Sequence, residues 1–140
     1  MNRLLLAFCM TLLAALAHAQ QRGAPPAGAE VYFIAPLNGA TVHGPVTVRF
    51  GLKGMGIAPA GIKFDNTGHH HLLVDTDLKD LSLDAPLASS DKILHFGKGQ
   101  TETTLNLTPG KHTLEIVFAD YLHQSFDPPL HSQKITITVK

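Results

Sequence analysis

Cysteine is nearly missing from this 140-residue chain, whose only cysteine, Cys9, lies in the apolar stretch at the N-terminus. One cysteine cannot form an internal disulfide or a thiolate-rich metal site. Tryptophan is missing altogether, which excludes the Cys–Trp–Cys core of disulfide-bonded immunoglobulin domains. Histidine occurs nine times, so imidazoles and carboxylates are the main metal ligands that the sequence offers.

The N-terminal apolar run, 4–15, is shorter than the roughly 20 residues that a membrane-spanning helix needs. It follows Arg3 and precedes the small-x-small sequence Ala17-His18-Ala19, an order typical of a cleaved secretory signal peptide. We therefore expect cleavage after Ala19, a periplasmic or secreted protein, and no membrane span after cleavage. The expected organisation is a signal peptide over 1–19, a flexible leader over 20–29 and one domain over 30–140.

Neither sign of charge is in excess, and the familiar catalytic motifs are missing. Without Arg3, 10 basic and 11 acidic residues leave a formal net charge of −1. This balance gives no electrostatic reason to expect binding to nucleic acid or to an anionic membrane. The sequence has no Gly-x-Ser-x-Gly elbow, phosphate loop or dinucleotide fingerprint, so we predict that the protein is not an enzyme.

Short β-type segments separated by turn residues fill the chain from Glu30 onward. In 46–50 and 111–119, for example, apolar and polar residues alternate, as on half-buried strands. About seven such strands and no amphipathic helix predict an all-β fold, an immunoglobulin-like (fibronectin-type) antiparallel sandwich without a disulfide. The segments 52–68 and 76–91 lack the pattern and are expected to be long loops.

His112 follows the turn Pro109-Gly110 at the start of a predicted strand. Sandwich domains often carry at this corner a tyrosine that bonds back to the backbone. We expect His112 to be an inward-facing corner residue in the same way.

The string Gly68-His69-His70-His71 begins a predicted strand over 69–75. Side chains alternate faces along a strand, so His69 and His71 share one face and His70 lies on the other. Three other histidines lie near predicted strand ends and turns. His95 ends a predicted strand, His123 follows a turn, and His131 begins the predicted last strand. Converging imidazoles can bind copper or zinc. The candidate metal ligands are His69, His71, His95, His123 and His131. An open alternative is that these histidines only form hydrogen bonds within loops and strand ends.

The first functional hypothesis is an exported, non-enzymatic binding or interaction module for a periplasmic protein or small ligand. Glycines near the histidines would let a ligand or partner backbone approach closely. The expected surface consists of Met55, Gly68, His69, His70, His71, Gly97, Gly99, Gln100 and Glu102. The second hypothesis is a protein that binds copper or zinc through its histidines. A third is a hydrolase or isomerase that uses one histidine as a base.

Three strings of the sequence are distinctive: Gly51-Leu52-x-Gly54-Met55-Gly56, Gly68-His69-His70-His71-Leu72-Leu73 and His95-Phe96-Gly97-x-Gly99-Gln100-Thr101-Glu102-Thr103. With them, the chain resembles a family of short bacterial exported proteins of unknown function over nearly all of its length after the signal peptide. The resemblance implies export and a β-sandwich, and it implies no particular activity.

Overall fold

A computed structural model describes residues 21–140, so the expected signal peptide and its cleavage site lie outside the described residues. The described part forms ten strands and one short 3₁₀ helix, Leu78–Asp80. The smaller sheet contains β1 (Glu30–Ala35), β3 (Val46–Lys53) and β7 (Glu102–Leu105). The larger sheet contains β2 (Thr41–Val42), β4 (Gly56–Ile57), β5 (Thr67–Val74), β6 (Ile93–His95), β8 (Gly110–Ala119), β9 (Ser125–His131) and β10 (Ile135–Val139).

The two sheets enclose the main hydrophobic core. In the smaller sheet, β3 lies between β1 and β7 and is antiparallel to both. In the larger sheet, β5 and β8 are the central antiparallel pair. Alternate residues of β3 and β8 meet in the core, among them Val46, Val48, Leu114, Ile116 and Phe118. The all-β, disulfide-free sandwich is therefore confirmed, and no helix in the described part is long and apolar enough to cross a membrane.

The larger sheet is buried on its outer face as well, because residues 76–91, hereafter the cover segment, lie against it. Leu87 of this segment forms a second apolar cluster with Leu73, Val117 and Ala119 of β5 and β8. Further side chains packed against that cluster are Leu78, Leu81, Leu83 and Ile93. Leu87 is buried and the other three leucines are partly buried. Full burial of one leucine contributes roughly 1.5–3 kcal/mol, so these contacts favour the position of the segment on the sheet.

Two strand predictions are wrong. The sequence places His131 at the start of the last strand, whereas His131 ends β9 and the last strand, β10, begins at Ile135. The strand β9 contains Pro128 and Pro129, which lack the N–H that a strand normally donates to its ladder. The short strand β4 also lies inside the expected loop over 52–68.

His112 is half-buried at the start of β8, with both ring nitrogens bonded. Its Nδ1 lies 2.7 Å from Oδ2 of Asp75, and its Nε2 donates to the carbonyl oxygen of Thr108 at 2.7 Å. The second bond is the return to the backbone expected of a corner residue. Asp75 also accepts a hydrogen bond from Thr113 N–H, which ties the end of β5 to β8.

Candidate metal centre

Strand register brings three histidines together on the outer face of the larger sheet. His69 and His71 point to this face from β5, while His70 points into the main core, as the alternation predicts. The antiparallel pairing of β5 with β6 sets His95 directly opposite His71. The ring of His95 lies over Gly97, where a Cβ atom would stand only 2.2 Å from Cε1 of that ring. Glycine at position 97 therefore leaves the space that the His95 ring occupies.

A tight turn between β8 and β9 supplies the fourth histidine. Oδ1 of Asp120 accepts hydrogen bonds from the N–H groups of Leu122 at 2.8 Å and Gln124 at 2.9 Å. His123 N–H donates to the carbonyl oxygen of Asp120 at 3.0 Å. This geometry holds His123 at φ +65°, a left-handed conformation that costs a non-glycine residue roughly 1–2 kcal/mol. Backbone strain of this kind concentrates at functional sites.

These four residues, hereafter the histidine cluster, are His69, His71, His95 and His123. The centroid of the His69 ring lies 4.9 Å from that of the His71 ring and 5.0 Å from those of the His95 and His123 rings. Ligand nitrogens of His69, His95 and His123 all lie within 4.8 Å of one another. An ion bound at about 2.0–2.1 Å from each nitrogen would need them roughly 3.4 Å apart, so the rings would have to rotate toward one another to bind it. His71 adjoins these three as a possible fourth donor.

The cluster contains buried nitrogens that nothing in the described part of the chain satisfies. Both ring nitrogens of His69 and His71, and Nε2 of His95, are buried and make no hydrogen bond there. A buried polar group without a partner costs about 1–3 kcal/mol. The alternative hypothesis is that these histidines only form hydrogen bonds. No hydrogen bond is found at these nitrogens, whereas an ion would satisfy one nitrogen of each ring.

The pKa values of the buried rings favour the neutral form, which is the form that binds metals. Burial, with the nearby His123 and His95, lowers the pKa of His69 from 6.5 to about 4. Burial and the same neighbours, together with His69, lower the pKa of His71 to about 3. Burial and His123 also lower the pKa of His95. Protons therefore compete weakly for these donors at neutral pH.

The cover segment is attached to the turn that carries His123. Leu87 N–H donates to the carbonyl oxygen of His123 at 2.9 Å. The buried side chain of Gln124 donates from Nε2 to the carbonyl oxygen of Leu83 at 2.7 Å. Sequence reasoning did not single out Leu87 or Gln124, because both act through backbone groups of residues far along the chain.

The structure places His131 apart from the histidine cluster. His71 and His131 pair with Val117 from opposite sides, so the strand β8 lies between them. Two strand spacings amount to roughly 9–10 Å, too far for both rings to ligate one ion. Nδ1 of His131 instead lies 2.8 Å from Oε1 of the buried Glu115. His131 therefore has a partner of its own.

The expected ligand surface is spread over several environments. Gly68 is buried in β5, where a Cβ atom would stand 2.2 Å from the carbonyl oxygen of Ala119. His70 packs in the core, with its ring 4.9 Å from that of Phe50, and Met55 is half-buried against the same core. His69 and His71 are buried in the histidine cluster. The other members lie on or near the surface after β6: Gly97, Gly99, Gln100 and Glu102.

One protein family matches most of the chain, namely a domain of unknown function, DUF4399, over residues 48–140. No curated protein matches the sequence. Among solved structures, the chain is similar to the endo-beta-1,4-mannanase from Thermotoga petrophila, with 17% identity and a TM-score of 0.46 over 80% of this chain and 20% of that one. It is also similar to the fibronectin(III)-like modules of CbhA from Clostridium thermocellum, with 12% identity and a TM-score of 0.41 over 78% of this chain and 92% of that one.

Proposed function

The chain belongs to the DUF4399 family, and we propose that it is an exported, non-enzymatic binding module whose ligand is a copper or zinc ion. The supporting observation is the convergence of ligand nitrogens from His69, His95 and His123 to within 4.8 Å of one another. Metal binding gives the buried, unpartnered nitrogens a role that packing alone does not. Export is supported by the signal-peptide pattern over 1–19.

The donor chemistry supports this choice of ions. Imidazole suits zinc and copper, while calcium and magnesium prefer oxygen ligands. Three imidazoles with a fourth beside them match the three or four ligands of protein zinc and copper centres. Three segments that are distant in the sequence supply these rings: β5, β6 and the turn 120–124. The fold therefore has to be formed before the site exists.

The test is a calorimetric titration of the purified, metal-stripped protein, carried without a histidine tag, with zinc, copper(II) and ascorbate-reduced copper(I). We expect one ion per chain and a loss of at least roughly tenfold in affinity for His69→Ala and His95→Ala, since each removes one donor. His43→Ala is the matched control, because His43 is exposed and outside the cluster. If none of the three ions binds the wild-type protein, the metal-binding function is wrong.

Export has a separate test. The full chain is expressed in a bacterium, the cells are fractionated, and the N-terminal residue of the released protein is determined. We expect the protein in the periplasmic fraction or the medium, beginning at Gln20. Retention of the full-length chain in the cytoplasm would contradict this part of the proposal.

A further inference from the structure

We propose that the histidine cluster selects monovalent copper over zinc and over copper(II). This inference rests on the proposed metal-binding function and identifies the ion. It follows from the charge of the donors, their burial and the directions from which they converge.

The first argument is charge. Four neutral imidazoles leave the full charge of a bound ion uncompensated. Histidines that bind metals usually donate their second ring N–H to a carboxylate or carbonyl oxygen, and a carboxylate in that position offsets part of the charge of a divalent ion. Within residues 21–140, the histidine–carboxylate pairs are His112 with Asp75 and His131 with Glu115, and neither histidine belongs to the cluster. The second nitrogens of His69 and His71 have no partner there at all.

The second argument is burial. His69 and His71 are 0% exposed, His95 and His123 are partly exposed, and the neighbouring outer face consists of Leu73, Val117 and Ala119 beneath the cover segment. The cost of moving an ion from water to such surroundings rises with the square of its charge, so a divalent ion costs about four times as much as a monovalent one. Copper(I) is the monovalent ion among the proposed ligands, which disfavours zinc.

The third argument is direction. The rings come from two strands and a turn, and the six distances between their centroids all lie between 4.7 and 6.0 Å. Four rings around an ion in one plane would have two of these distances about 1.4 times the others, so the four rings are arranged closer to a tetrahedron. Donors that approach from several directions suit ions with a filled d shell, such as copper(I) and zinc. Copper(II) prefers four donors near one plane. The arrangement of the four rings therefore disfavours copper(II), and the uncompensated charge disfavours both divalent ions.

The experiment is a set of three competition titrations of the wild-type protein. One uses bicinchoninate against copper(I), kept reduced by ascorbate without oxygen, and the other two use chromogenic chelators against zinc and against copper(II). We expect the dissociation constant for copper(I) to be lower than those for zinc and copper(II) by roughly tenfold or more. Equal or tighter binding of zinc or copper(II) would overturn the selectivity and leave the metal-binding function intact, while failure of every ion would remove the function itself.

A pair of variants tests whether uncompensated charge is the cause of the selectivity for copper(I). Ala119 lies opposite His69 in the ladder, on the outer face. Ala119→Asp introduces a carboxylate beside the cluster, and Ala119→Asn introduces a neutral group of the same size. We expect the ratio of zinc to copper(I) affinity to rise at least tenfold in the Asp variant relative to the Asn variant. An unchanged ratio in folded variants would contradict the charge argument, and the wild-type titrations decide the selectivity if either variant does not fold.

Discussion

The carbonyl oxygen of His123 accepts a hydrogen bond from Leu87 N–H at 2.9 Å, while the His123 ring belongs to the histidine cluster. One residue thus contacts both the candidate metal centre and the segment that covers it. A bound ion would fix the His123 ring and, through the same residue, restrain Leu87. Occupation of the centre and closure of the cover segment should therefore depend on each other.

We predict that metal binding slows hydrogen exchange of the Leu87 amide, measured by NMR. Gln124→Ala removes the bond to Leu83, which contributes roughly 1 kcal/mol, and should speed transfer of the ion to a chelator several-fold. Gln133→Ala is the control, since Gln133 is exposed and lies outside both the histidine cluster and the cover segment. Equal transfer rates in all three proteins would show that the cover segment does not restrain the ion.

We predict that His123 lowers the stability of the metal-free protein and contributes to metal binding. His123→Gly removes the ring and relieves the strain at φ +65°, whereas His123→Ala removes the ring and keeps the strain. Both variants should bind metal at least tenfold more weakly. In urea unfolding of the metal-free proteins, the glycine variant should be more stable than the alanine variant by roughly 1 kcal/mol. Strong metal binding by either variant would remove His123 from the centre.

Gly97→Ala should weaken metal binding more than folding. The new methyl group meets the outer end of the His95 ring, which can rotate away without moving the backbone but then leaves the other donors. We expect roughly tenfold weaker binding and a loss of less than about 1 kcal/mol in the free energy of unfolding. Gly23→Ala, which meets no atom within 4 Å, is the matched control. Unchanged affinity in Gly97→Ala would show that the His95 ring is not a donor.

His112 should make stability decrease toward alkaline pH. Its hydrogen bond to Asp75, the carbonyl of Thr108 and the charge of Asp75 raise the pKa of His112 above its ordinary 6.5. The folded state therefore holds this proton more tightly than the unfolded state. The contribution is complete below about pH 6.5 and is lost as pH rises through the raised pKa. Urea unfolding between pH 6 and pH 9 should show this decline in the wild type and a weaker one in His112→Ala.

The metal-free protein should lose stability toward acid pH. Burial lowers the pKa of His69 and His70 to about 4 and that of His71 to about 3, with neighbouring histidines contributing at His69 and His71. The unfolded chain takes up protons at about pH 6.5, but the folded chain does not, so stability falls as pH drops from 6.5 toward these values. His71→Phe should reduce the slope in urea unfolding at pH 4.5–7. An equal slope would mean that His71 does not contribute to it.

Much of the fold could be predicted because the alternation of apolar and polar residues along a strand is a local property of the sequence. The residues 46–50 and 111–119 reveal one buried and one exposed face, and both segments are strands in the structure. The strand β9 escaped prediction because Pro128 and Pro129 interrupt the usual strand composition. The second apolar cluster escaped as well, since the cover segment resembles a polar loop with scattered leucines.

By itself, the sequence determined that a thiolate-rich metal site is excluded, that histidine is the main donor on offer, and that His69 and His71 share a face. Only the tertiary structure decided which histidines meet. The pairing of β6 and the turn 120–124 bring His95 and His123 to His69, while β8 separates His131 from them. The physical reason is that alternation follows from the backbone of one strand, whereas convergence depends on register between strands that are distant in the sequence.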